Sequence, residues 1–199
     1  MRILPFLLLA ILALPLPAHA VAVPGEDAPD FTATDTNGIP VRLADLKGNY
    51  VVLEWTNRRC PFVRKHYDSG NMQALQKKYT AKGVIWLSII SSAEGKEGFV
   101  TDAEANKTAK DWNAGPSHII RDPLGSIGHL YGAKTTPHMF VVDKAGKVAY
   151  AGAIDSVPST EVEDLAKAEN YIDKTFAALE ANKKVETAST RAYGCSVKY

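Results

Sequence analysis

Two cysteines, Cys60 and Cys195, are the residues of this chain best suited to redox chemistry. Cys60 lies in Thr56-Asn57-Arg58-Arg59-Cys60-Pro61-Phe62-Val63. The run before it, Tyr50-Val-Val-Leu-Glu-Trp55, is short, apolar and rich in β-branched and aromatic residues, as a buried strand should be. Pro61 after it suits the first turn of a helix, where its missing N–H costs nothing. Cys60 is therefore expected at a strand-to-helix junction, beside orphan N–H groups and the positive end of the helix dipole. That position favours a thiolate. Arg58, Arg59, Arg64 and Lys65 add positive charge nearby, with Arg59 or Arg64 the candidate to hold the sulfur's charge, and Trp55 is expected to pack near it. The plainer alternative is a small buried hydrophobe, which most free cysteines are.

Thr136-Pro137 is the second feature. A proline at this point cannot donate to a ladder, so it belongs at a strand start or an edge. The bond before Pro137 is expected to be cis, with the Thr136 backbone open to an incoming chain. Cys60, His66, His138 and Cys195 form an alternative set that could gather a soft metal such as Cu(I) or Zn(II). The preferred reading needs no cofactor and no resident metal.

These residues are carried by alternating elements. A turn at Asp35-Thr-Asn-Gly38 separates two short strands. A helix is expected from Pro61 to about Tyr67, broken near Gly70 and resuming with Met72, Leu75 and Tyr79 on one face. Val84–Ile90 reads as a second buried strand, 101–113 as a surface helix capped by Thr101 or Asp102, and 117–121 as a strand. A short helix from Ser126 precedes a hairpin over 135–154, and 161–182 reads as one long helix. The polar tail 183–199, carrying Cys195, is expected to be mobile. The pattern specifies an α/β domain, with a mixed central sheet flanked by helices.

Residues 1–20 read as a cleavable leader: Arg2, an apolar run over 3–16 and Ala18-His-Ala20. The run is shorter than the ~20 residues of a membrane span, so a signal peptide, an exported protein in a periplasmic or secreted location and no span in the mature chain are expected. Lys and Arg number 23 against 22 Asp and Glu, so losing Arg2 leaves the charges balanced. That balance argues against a nucleic-acid surface.

Taken together, Trp55…Cys60-Pro61, Thr136-Pro137, Phe140-Val-Val-Asp143 and the hairpin resemble the thioredoxin fold over 24–182. The opening Pro24-Gly-Glu-Asp-Ala-Pro-Asp-Phe31 and the phrase Asp122-Pro-Leu-Gly125 resemble the peroxiredoxin (AhpC/TSA, redoxin) branch. Cys60-Pro-Phe-Val63 with the tail Gly194-Cys-Ser-Val-Lys198 is similar to bacterial peroxiredoxin-like redoxins with a single active-site cysteine. The resemblance implies a domain over 21–182 and a thiol-disulfide oxidoreductase acting on protein or small-molecule thiols and disulfides. It further implies Cys60 as nucleophile, Cys195 as resolving cysteine, and a substrate site at Thr136, Pro137, Trp55, Arg59 and Arg64, with a thioredoxin-like electron donor as a further partner. Val63 stands where a thioredoxin Cys-x-x-Cys has its second cysteine. Leu53 and Asn57 stand where peroxiredoxins have proline and threonine before the reactive cysteine, which makes peroxide reduction the lesser activity. A Cys60–Cys195 bond would close a loop of about 135 residues, worth roughly 4–5 kcal/mol by chain entropy, so a structural tie is the alternative to the resolving role. A metal chaperone, or a non-catalytic module holding a partner strand at Thr136-Pro137, are the alternatives in other classes.

Overall fold

Val51–Trp55 is buried along its whole length, so it can sit only at the centre of a sheet covered on both faces. The computed structural model describes residues 21–199, and the expected leader 1–20 lies outside the described residues. In chain order the elements are β1 (Thr32–Thr34), β2 (Pro40–Arg42), a 3₁₀ turn Leu43–Leu46, β3 (Val51–Trp55), α1 (Pro61–Asp68), α2 (Asn71–Thr80), β4 (Ile85–Ile90), α3 (Asp102–Asp111), β5 (His118–Arg121) and α4 (Ser126–Tyr131). Then follow β6 (Thr135–Thr136), β7 (His138–Val142), β8 (Val148–Gly152), α5 (Tyr171–Glu180) and β9 (Cys195–Ser196). The main sheet has the order β5-β4-β3-β7-β8. β3, β4 and β5 run parallel, while β7 and β8 are antiparallel to their neighbours.

Alternation along the strands divides the core in two. Leu53, Trp55, Leu87, Ile89, Phe140 and Val142 face one side with Ile127 and Tyr131 of α4. Val52, Trp86, Met139, Val141 and Tyr150 face the other, against α1, α2 and α5. Gly70, in the left-handed region at φ 77°, separates α1 from α2 where the sequence predicts a break. α3 opens with a capping box in which the Thr101 side chain and Glu104 satisfy each other's backbone N–H groups.

Two expectations change. The long helix over 161–182 is instead a 3₁₀ stretch, Val162–Lys167, followed by α5. Asn170 causes the break, its side-chain oxygen accepting the N–H groups of Ile172 and Asp173 and so starting a new helix. The tail is docked rather than loose. At the edge of β8 the Ala151 N–H donates to Ala188 O and Ala151 O accepts the Thr190 N–H, and Lys134 O accepts the Val197 N–H at 3.0 Å.

Candidate active site

Asn57 shapes the approach to Cys60. Its side-chain oxygen accepts the Arg59 N–H at 2.9 Å and its backbone oxygen accepts the Cys60 N–H at 3.0 Å. The chain leaves β3 through this turn, and Cys60 becomes the N-cap residue of α1 with Pro61 next to it. The sulfur is not aimed at the first-turn amides. It donates to the carbonyl of Thr136 at 3.0 Å, and Cys60 is completely buried. The Thr136–Pro137 bond is cis.

The sequence alone does not show what covers Cys60. β9 adds to β6 as a short antiparallel strand, with Cys195 opposite Thr136 and Ser196 opposite Thr135. Thr136 thus takes the Cys60 S–H and pairs with the Cys195 backbone, which brings the two cysteines, both free thiols, close together. The Cys195 thiol is pushed up to about 12, first by burial and then by the adjacent Cys60 sulfur through a hydrogen bond and its charge. Oxidation of Cys60 would remove the second and third of these causes, leaving Cys195 a better nucleophile once Cys60 has reacted.

The remaining sequence candidates fall in three places. Thr136 and Pro137 are buried beside Cys60. Arg59 and Arg64 are exposed on the outer surface, and Arg64 pairs with Asp68 one turn along α1. Trp55 belongs to the opposite face of the sheet, where its ring meets Tyr131 and Phe140 and its N–H donates to Ser91 at 3.0 Å. It is a core residue of the far layer and not a neighbour of Cys60. Among the described residues no group of three or more His, Cys, Asp and Glu side chains could hold a metal ion.

Two buried polar groups went unread in the sequence. Glu54 of β3 accepts from Tyr67 and the Trp86 indole at 2.8 Å, from Ser88 at 3.0 Å and from Gln76 at 3.3 Å. Burial holds its carboxyl above the ordinary range despite these donors. A glutamate inside a continuous apolar strand was the available signal. The second group is Lys65 and Asp155, both buried. Lys65 Nζ lies 3.5 Å from Asp155 Oδ2 and donates to Val157 O at 3.0 Å.

Two histidines carry a pH dependence. Burial holds His66 down to about 4, with Asp155 opposing and Lys65 adding to the effect. Burial, aided by the Lys134 charge, likewise holds His138 at about 4. Both rings take a proton near the ordinary 6.5 when unfolded but only near 4 when folded. Stability is therefore complete above 6.5 and lost as pH falls through 6.5 towards 4. Thermal melts between pH 7 and pH 4 should show a loss of a few kcal/mol, because keeping a ring neutral costs about 1.4 kcal/mol for each pH unit below its unfolded titration point. Replacing either histidine with Gln should flatten the slope, and an unchanged slope in both variants would refute the assignment.

Comparison with solved structures places the architecture. A conserved uncharacterised protein from Geobacillus kaustophilus superposes with a TM-score of 0.74 at 25% identity, covering 89% of this chain and 92% of the other. The thioredoxin domain of a thiol-disulfide oxidoreductase from Bacteroides vulgatus matches with a TM-score of 0.51 at 20% identity, over 73% of this chain and 96% of that one. With the strand order above, these matches define a thioredoxin-like fold. The model of the AhpC/TSA family matches residues 24–151, and the chain belongs to that family. Over 124 residues it is 30% identical to thiol-disulfide oxidoreductase ResA of Bacillus thuringiensis subsp. konkukian (strain 97-27), covering 62% of this chain. The match spans 66% of that relative's length, just under two thirds.

Proposed function

We propose that this chain is a thiol-disulfide oxidoreductase in which Cys60 attacks and Cys195 resolves. The observation that carries the reading is the β6–β9 pairing, which sets Cys195 opposite the residue that accepts the Cys60 S–H. Family membership and the named activity of the ResA relative agree with it. In the reducing direction the Cys60 thiolate attacks one sulfur of a substrate disulfide. A Cys60–substrate bond forms, the substrate S–S bond breaks, and the departing thiolate takes a proton from solvent. Cys195 then gives its proton to solvent and attacks Cys60 Sγ. The Cys60–Cys195 bond forms, the substrate leaves as its second thiol, and the pair has been oxidised by two electrons. The substrates are protein or small-molecule disulfides, and a thioredoxin-like donor would return the pair to thiols.

Export fits this chemistry, since a Cys60–Cys195 disulfide persists best in an oxidising compartment. The reading therefore includes cleavage after Ala20 and a periplasmic or secreted location. No helix among the described residues is long and apolar enough to cross a membrane.

Mass spectrometry of the chain treated with a mild disulfide oxidant tests the assignment. A loss of two protons reversed by reductant is expected, with a proteolytic peptide linking Cys60 to Cys195. Oxidation that instead joins two chains, or leaves both thiols free, would overturn it.

A further inference from the structure

Two tyrosines hold the tail on either side of Cys195. Tyr199 stacks on His129 at 4.0 Å and donates to Ala133 O at 2.7 Å. It lies over Gly125 and Gly128, where an added Cβ would collide with its side chain.

Tyr193 is held differently, by charge. Its O–H donates to Asp155 Oδ1 at 2.5 Å and lies 3.4 Å from His66 Nε2. The Lys65 ammonium stands 5.8 Å from the ring centroid, and Phe62 meets the ring edge-on at 5.8 Å. Lys65, His66 and Asp155 are themselves buried.

Between this pocket and the sulfurs comes Gly194. A Cβ there would stand 2.7 Å from the Thr136 carbonyl carbon and closer still to its oxygen, and φ is +133°. The obstacle is backbone, which cannot swing aside, so only glycine fits. The surface thus reads three consecutive residues: a phenol, no side chain, then a thiol. Clefts of about 570 and 510 Å³ lie beside residues 190–192 of the tail. Lifting the tail there breaks the Thr190 bonds to Ala151 O and the Ala153 N–H and takes Tyr193 and Cys195 off the core, so an incoming segment must replace those contacts.

We propose that the Asp155–Lys65–His66–Phe62 pocket and the Thr136 edge form a docking site for an extended polypeptide segment of the pattern Tyr-Gly-Cys. The chain's own 193–195 is the resident occupant. Because the docked tail seals Cys60, a partner's sulfur reaches it only when the partner's segment replaces the tail. This inference rests on the thiol-disulfide reading above and names the substrate class of that site. A partner lacking the hydroxyl leaves Asp155 Oδ1 short of a donor in a buried place, and one with a side chain before its cysteine cannot approach Thr136.

The test uses the full chain carrying Cys195→Ser, so that the mixed disulfide accumulates. The probe is the acetylated hexapeptide Ala-Tyr-Gly-Cys-Ser-Val, its cysteine joined to 2-thiopyridine. Cys60 attacks the peptide sulfur, the Cys60–peptide bond forms, and the old S–S electron pair leaves with 2-thiopyridine, which takes a proton and is read by absorbance. Rates are compared with Phe-Gly-Cys and Tyr-Ala-Cys peptides, and with 2,2′-dithiodipyridine as an unselective small disulfide. The Phe peptide is expected to react roughly ten-fold more slowly and the Ala peptide more slowly still, from the loss of one buried hydrogen bond and from the clash respectively. Adding Tyr193→Phe should weaken the resident tail and speed the Tyr-Gly-Cys peptide several-fold. Equal rates for all three peptides, with the small disulfide reacting normally, would overturn the docking site and leave the redox reading standing. No reaction with any disulfide would sink both.

Discussion

Cys60→Ser is expected to lower the rate of disulfide exchange by roughly 10³-fold or more, as loss of a catalytic nucleophile does elsewhere. The fold should tolerate the change, because a serine hydroxyl can still donate to the Thr136 carbonyl that now takes the Cys60 S–H. Cys195 cannot substitute as the attacking group. Burial, the largest cause of its raised titration point, persists in this variant and keeps its thiol protonated more than an ordinary cysteine, although the Cys60 charge is gone. The counterpart Cys195→Ser should behave differently, completing the first attack and stalling as a mixed disulfide on Cys60. The measurement is turnover of a small disulfide with reductant, followed by intact mass. Cys60→Ser retaining wild-type turnover, or Cys195→Ser leaving no trapped adduct, would remove the assigned roles.

Asp155→Ala is expected to destabilise the protein by about 3–5 kcal/mol, the range for removing one partner of a buried ion pair. The mutation strands the Lys65 ammonium in the core, with only Val157 O at 3.0 Å as partner. It also strips acceptors from the Val157 N–H at 2.9 Å and the Tyr193 O–H at 2.5 Å. For a chain of this size each kcal/mol lowers the melting temperature by roughly 2–4 °C, so a fall of about 6–20 °C should appear. The exposed pair Lys107–Asp111 supplies the contrast. Lys107→Ala should change stability by less than about 1 kcal/mol, since solvent already screens that pair. Similar melting temperatures for the two variants would show that the buried pair does not hold this region together.

Much of this molecule is local information. Cys60-Pro61 after an apolar strand places a thiol at a helix start because a strand ends and a helix nucleates within a few residues. Thr136-Pro137 before His138–Val142 marks a strand start for an equally local reason, the missing proline N–H. The run 161–182 misleads because its apolar spacing fits one helix, while a single Asn170 side chain captures the amides that begin another.

The electrostatics of the site were not legible in the same way. Of the four cations near Cys60, composition favours Arg59 and Arg64, and both are exposed; Lys65, the residue type usually left in water, is the buried one. One step along a helix turns a side chain by about 100°, so neighbours in sequence face different worlds. Trp55 and Glu54 differ likewise by one residue in a strand and so belong to opposite layers.

By itself the sequence determined the alternation of strands and helices, the place of Cys60 at a helix start and the glycine before Cys195. The tertiary structure decided that the tail docks, that Cys195 lies opposite Thr136 and against Cys60, and that Asp155 receives Tyr193. Those pairings join residues far apart in the chain, and such contacts depend on where the folded sheet leaves an open edge, which no local pattern of residue types encodes.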